Sequence, residues 1–383
     1  MKKWFIHIGT FVALSALAGL IVIVSGIMPI KASSGHWPTT DWLLEFAMSR
    51  SVATHSVGIA APSNLSEPAM VMKGAGHFET GCAACHGSPI WKKPRVAQRL
   101  RPIPPELSGK IADWTPEELF YIVKHGVLFT GMPSFPSQER DDEVWAVVAF
   151  LLQFPRIDEA DYRELVYGKQ GVATDEVPHA VIDICARCHG LDGAGRETSA
   201  FPRLDGLHAD YFIAAMQAYS TGKRRSGIME PIAGRLSDDE VSEIAAYYSR
   251  RRDVASKSEE GGEPVREANE DSRVAIERGE LIAQNGLPEQ GVGACIACHR
   301  ADGEQHSADV KEHNPNYAVL NGQFADYLVL QLTLFKQRRR GGSDYAKLMH
   351  PVADGLKLDQ MQDVSAYYAS LPEGTTPAEQ SDK

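Results

Sequence analysis

Residues 82–86 read Cys82-Ala83-Ala84-Cys85-His86, and the pattern returns as Cys185-Ala186-Arg187-Cys188-His189 and Cys295-Ile296-Ala297-Cys298-His299. Two cysteines three apart suit a metal site, a redox dithiol or the thioether attachment of a haem. The chain has six cysteines, and these three copies use all of them, leaving none for a structural disulfide. A zinc site takes four ligands, usually from pairs about 12–20 residues apart, whereas these pairs start at 82, 185 and 295. A thioredoxin-like dithiol would sit in a βαβ pattern, and no such pattern surrounds them. A histidine directly after the second cysteine is the attachment signature of c-type haem. Two cysteines on one helical turn lie on nearly one face, so both reach one flat macrocycle. The next residue then offers its imidazole to the iron as proximal ligand. The expected cofactors are three covalent haems c, held by Cys82, Cys85 and His86, by Cys185, Cys188 and His189, and by Cys295, Cys298 and His299.

Working outward, each motif opens a recurring unit. A Leu-x-Gly step follows (Leu107, Leu204, Leu320), then a helical stretch: TPEELFYIVKHG, HADYFIAAMQAYSTG, FADYLVLQLTLFKQ. Next comes a methionine beside proline, in Gly131-Met132-Pro133, Met229-Glu230-Pro231 and Met349-His350-Pro351. An aromatic-bearing helix closes each unit: DDEVWAVVAFLLQF, SDDEVSEIAAYYSRR, LDQMQDVSAYYASLP. Thr115 before Pro116, and Ser237 three residues before Glu240, are helix-start signals. No alternating apolar run suggests a sheet. The expected fold class is all-α, with each unit a small helical bundle round a haem.

The sixth iron position separates a carrier from a catalyst, since methionine opposite histidine closes the site and raises the potential. Met132, Met229 and Met349 recur at one place in the repeat and are expected to be those ligands, each from a loop. His350 is a competitor for the third iron. Met216 and Met361 lie inside helical stretches and read as core filler.

Trp4 to Ile30 runs without a charge, longer than the ~20 residues a membrane span needs. Lys2 and Lys3 precede it, which orients the N-terminus towards the cytoplasm. A cleaved signal peptide is the competing reading. Its apolar region is normally shorter, Ala16-Leu17-Ala18 falls inside the run, and Lys31-Ala32-Ser33 is a poor cleavage match. Both readings export the haem motifs to a bacterial periplasm, and the first holds them on the cytoplasmic membrane. The expected layout is a transmembrane anchor (1–30), a stalk (31–70) with a short helix at 41–50, and units at 71–156, 157–254 and 273–373. An acidic linker (255–272) and a disordered tail (374–383) complete it. The net charge of −11 over 383 residues argues against nucleic acid. Basic runs at 91–101, 222–227 and 336–342 fit a solvated face, haem propionates or a partner's acidic surface.

With these motifs in place, the chain resembles a class I cytochrome c array. CHGLDG, FPRLDG and SGIMEPIAGRLSDDEVSEIAAYY in the second unit are similar to halves of periplasmic dihaem cytochromes c. GCAACHG, LFTGMPSF and EVWAVVAFL in the first are similar to the trihaem cytochrome subunits of periplasmic alcohol, gluconate and aldehyde dehydrogenases. RSVATHSVGIAAP looks like the stalk of membrane-anchored members. The resemblance implies an electron-transfer protein rather than an enzyme, with a dehydrogenase subunit as donor. Quinone, a terminal oxidase or a soluble cytochrome would be the acceptor in the respiratory chain. A multihaem enzyme with one open haem, or a cytochrome subunit of a terminal oxidase, are the rival readings. The resemblance also implies that a carbonyl two residues before the Leu-x-Gly leucine orients the proximal histidine. Pro105 and Pro202 match that position, Ala318 breaks the proline pattern, and Arg300 replaces the glycine after the third histidine, so the third haem is expected to differ.

Overall fold

The computed structural model describes residues 2–27, 31–168, 177–251, 270–299 and 314–371. Among them there is no β-strand, only the isolated bridges Arg224–Arg340 and Leu287–Val292. The expected linker residues 255–269, the 374–383 tail and Arg300 lie outside the described residues.

Helix α1 (Lys2–Val24) is long and apolar enough to cross a membrane and keeps its apolar side chains exposed. Helix α2 (Pro38–His55) is longer than the 41–50 helix expected in the stalk, because Pro38 starts it and no breaker follows before His55. Its C-terminal part docks on unit one, burying Val52 and stacking His55 on Tyr121 at 5.6 Å.

Unit one is built on α3 (Pro68–Gly81), the turn α4 (Ala83–His86), α5 (Pro116–His125) and α6 (Asp141–Gln153). Thr115 and Glu118 form the reciprocal cap that the sequence pattern requires at the start of α5. Phe78, Phe150 and Phe154 meet at 5.2–5.5 Å in the core; each such pair adds about 0.5–1.5 kcal/mol beyond its buried area. This core extends past the boundary expected at 156. Helix α7 (Glu159–Tyr167) packs on α3, with Tyr162 and Val166 fully buried in the unit-one core. The hydroxyls of Tyr162 and Tyr167 donate to Glu79 at 2.6 and 2.8 Å. The sequence places α7 after the closing helix, where the repeat predicts a new unit, so only its packing assigns it.

Unit two comprises α8 (Ala186–His189), α9 (Ala209–Ser220), α10 (Met229–Ala233) and α11 (Asp238–Ser249), the last started by the Ser237–Glu240 capping box. Unit three comprises α12 (Glu270–Asn285), α13 (Ala325–Lys336), α14 (Ala346–Gly355) and α15 (Leu358–Ser370). Helix α12 begins inside the last residues of the expected linker. Met216 and Met361 are buried core residues.

Two crossings rest on glycine. A Cβ on Gly74 of α3 would lie 1.9 Å from the Ala146 carbonyl oxygen of α6, and one on Gly279 of α12 would lie 2.0 Å from that of Asp363 on α15. Only a residue without Cβ lets the backbones approach this closely.

Candidate haem-binding sites

Each C-x-x-C-H motif occupies one helical turn. His86 N–H donates to the Cys82 carbonyl at 3.0 Å, and His299 N–H to that of Cys295 at 2.7 Å. The turn brings both cysteines and the histidine to one side. None of the six cysteines is in a disulfide. Burial pushes Cys82 and Cys185 up to about 12 and Cys295 up to about 11. A redox dithiol sits instead in a pocket that lowers its thiol pKa.

The three proximal rings are oriented alike. His86 Nδ1 lies 3.3 Å from the Pro105 carbonyl, His189 Nδ1 2.8 Å from that of Pro202, and His299 Nδ1 2.9 Å from that of Ala318. An Nδ1–H donated to a carbonyl fixes the tautomer and leaves the Nε2 lone pair for a metal. The acceptor is a backbone oxygen, so replacing proline with Ala318 leaves the bond in place. Burial, partly offset by the carbonyl bond, lowers the pKa of His86 and of His189.

The methionines divide. Met132 sits in the loop between α5 and α6, half-buried, its N–H donating to Thr130 Oγ1 at 3.0 Å and its carbonyl accepting from Val127 N–H. Met229 and Met349 are not in loops as expected: Met229 is the first residue of α10 and Met349 lies inside α14. Pro231 sits in a first turn, where its missing N–H costs nothing, and Ser226 Oγ accepts from Met229 N–H at 3.0 Å. Ser343 does the same for Ala346 at 3.1 Å, so helix follows despite Pro351. His350 Nε2 is engaged with the Arg340 carbonyl at 3.2 Å.

One cavity of about 390 Å³ is lined by Cys185, Cys188, His189 and Met229 of unit two and by Cys295, Cys298, His299 and Met349 of unit three. It therefore brings together the second and third expected ligand sets. Buried Arg224 and half-buried Arg340 line it too. Arg224 donates to Tyr327 at 2.8 Å and lies 4.5 Å from the Tyr219 ring; Arg340 donates to Tyr211 at 2.7 Å and lies 4.5 Å from the Phe335 ring. These contacts are exchanged in pairs, as by an approximate two-fold axis between the units. Neither guanidinium has a carboxylate partner among the described residues. Burial alone would raise the Tyr211 phenol, yet the Arg340 and Arg224 charges hold it below its ordinary value. Two unbalanced cations in the wall of a cavity holding both motif sets fit the propionate carboxylates of haem.

Reading the sequence singled out neither Glu143 nor the tyrosines of the closing helices. Tyr248 donates to the Gly190 carbonyl at 3.0 Å and Tyr368 to that of His299 at 2.9 Å, tying α11 and α15 to the motif turns. The repeated Tyr-Tyr pair in both units was the available signal.

A family model described as "Cytochrome C oxidase, cbb3-type, subunit III" matches residues 69–151 and 175–247, which contain the first two motifs. A thiosulfate dehydrogenase electron acceptor of Stutzerimonas stutzeri is 32% identical over 192 residues, 50% of this chain and 81% of that protein. One of Thiomonas intermedia is 33% identical over 188 residues, 49% of this chain and 78% of that protein. Cytochrome c4 of Pseudomonas aeruginosa is 27% identical over 188 residues, 49% of this chain and 84% of that protein. Motif chemistry, ring orientation and these relatives agree: the chain belongs to the class I c-type cytochromes, electron-transfer proteins with covalently bound haem rather than enzymes.

Proposed function

We propose that this chain is a membrane-anchored cytochrome facing the periplasm, which takes electrons from a periplasmic dehydrogenase and passes them through three His/Met haems to the respiratory chain. The observation that carries the reading is the threefold repeat of a C-x-x-C-H turn whose histidine is aimed by a backbone carbonyl. Haem iron, when bound, supplies one-electron chemistry, and a methionine opposite histidine raises its potential. The protein's own part is placement. In this reading Cys82, Cys85, His86 and Met132 hold the first haem, Cys185, Cys188, His189 and Met229 the second, and Cys295, Cys298, His299 and Met349 the third. Arg224 and Arg340 balance propionate charge between the second and third. Helix α1 acts as the anchor, and quinone, a terminal oxidase or a soluble cytochrome as the acceptor.

The names of two relatives, thiosulfate dehydrogenase electron acceptors, support a dehydrogenase donor. The resemblance of unit one to trihaem subunits supports an alcohol, gluconate or aldehyde dehydrogenase in the same role. Mass spectrometry of the holoprotein is expected to find three haems per chain. Met132→Leu, Met229→Leu and Met349→Leu are each expected to remove about one third of the weak red absorption band of methionine-ligated ferric haem. A variant that leaves the band intact removes that methionine from the ligand set. Mixing with purified thiosulfate dehydrogenase or alcohol dehydrogenase plus substrate tests the donor; failure of every dehydrogenase to reduce the haems would overturn this part of the reading.

A further inference from the structure

We propose that Glu143 of unit one is a positioning residue for Met229 of unit two, so that one unit sets the sixth-ligand segment of the next. The inference rests on the reading of Met229 as the sixth ligand of the second haem.

Glu143 is buried at the start of α6, and each of its oxygens accepts a hydrogen bond from unit two. Oε1 accepts from Ser226 Oγ at 2.7 Å and Oε2 from Gly227 N–H at 2.6 Å. Ser226 Oγ in turn accepts from Met229 N–H at 3.0 Å and Ile228 N–H at 3.3 Å. Those two bonds fix the polarity of the hydroxyl, whose single proton goes to Glu143. A directed chain therefore runs from Met229 N–H through Ser226 to a carboxylate of another unit. Arg140 holds that carboxylate at 2.9 Å and donates to the Arg225 carbonyl at 2.6 Å. Asp142, at 2.8 Å from Arg140, and Lys73, at 3.5 Å from Asp142, complete the cluster.

Packing repeats the point. A Cβ on Gly227 would lie 2.2 Å from Phe135 Cε1, and Phe135 is three residues beyond Met132. The first and second methionine segments thus lean on one another. In unit three the matching serine, Ser343, accepts from Ala346 N–H, three residues before Met349, so that bond does not end on the methionine's own amide. An ordinary buried ion pair between domains would hold two surfaces together without reaching the backbone that carries a ligand. This one ends on the Met229 amide.

The test uses the full-chain holoprotein with Glu143→Gln and Ser226→Ala, with Met229→Leu as reference and haem content checked throughout. Glutamine keeps the size of Glu143 but offers one acceptor oxygen in place of two. Ser226→Ala leaves the Arg140–Glu143 pair untouched and carries the test if Glu143→Gln folds poorly. The readouts are the red methionine band, the potentiometric titration of each haem and carbon monoxide binding to the ferrous form. Both variants are expected to weaken the share of the band that Met229→Leu abolishes and to lower the same potential. They should add nothing in the Met229→Leu background. If Met229→Leu removes its share while both variants keep band and potentials, the positioning role falls and the ligand reading stands. If Met229→Leu leaves the band intact, the ligand reading falls and takes the inference with it. Equal perturbation of all three haems would mark a structural role only and overturn the proposal.

Discussion

His77 lies buried on α3, and its Nδ1 finds no hydrogen-bond partner among the described residues. Burial, reinforced by the Lys73 and Arg140 charges, pushes its imidazole down to about 3. A base with a depressed folded pKa binds its proton more tightly in the unfolded chain. Its contribution is therefore full above about 6.5 and is lost as pH falls towards 3, at up to about 1.4 kcal/mol per pH unit. The denaturant midpoint of unit one is expected to drop between pH 7 and pH 5, and His77→Leu to flatten that slope. Guanidinium melts at the two pH values check it; an unchanged slope places the acid sensitivity elsewhere. At this scale the motif turns were legible because C-x-x-C-H is local in sequence. Glu143 was not. In DDEV it reads as one more acid against a helix dipole, and its partner Ser226 is 83 residues away.

Among the elements, α5 and α11 were readable from their start signals, and α6 and α15 from the aromatic-bearing helix that closes each repeat. Helices α3 and α12, which cross α6 and α15, were not singled out, because a glycine inside a helical stretch looks like a weakness until its crossing is known. Gly279→Ala would drive a methyl group into the Asp363 carbonyl, and Gly74→Ala one into that of Ala146. Each is expected to cost its unit about 3 kcal/mol or more, the range of severe core overpacking. Thermal melts of the holoproteins check this, with Gly293→Ala, where a Cβ meets nothing within 4 Å, as the neutral control. The loop placement of Met229 and Met349 failed for a related reason. Proline was read as a loop signal, but Pro231 stands in a first turn, and the Ser226 and Ser343 hydroxyls accept from the first N–H of α10 and of α14.

Across the whole molecule, the threefold repeat was legible in the sequence but the pairing of its units was not. Units two and three meet through Arg224 with Tyr327, Arg340 with Tyr211, and Gln323, which accepts from Arg203 N–H and donates to its carbonyl, both at 3.1 Å. Hydrogen bonds to a charged group contribute about 1.5–3 kcal/mol each. Tyr327→Phe and Tyr211→Phe are each expected to destabilise the pairing by about that much. Limited proteolysis would then release the units earlier than in the parent protein; equal resistance would show that the tyrosines contribute nothing. Unit one joins elsewhere, through Glu143 and through Arg187, which donates to Thr80 at 2.7 Å.

The reciprocal arginine–tyrosine contact has the form of an isologous dimer interface written into one polypeptide. A haem unit that already met its own copy through one self-complementary patch becomes this pair by duplication and fusion alone, with no new surface to invent. Once joined, the halves are free to diverge, because neither must match itself any longer. Divergence is visible in the contact: Gln331 of unit three serves Arg224 at 3.1 Å and Arg340 at 2.7 Å, while the matching place in unit two holds Ala215. Within one chain such a joint offers two sites that can be tuned separately, giving direction to a contact that is otherwise symmetric.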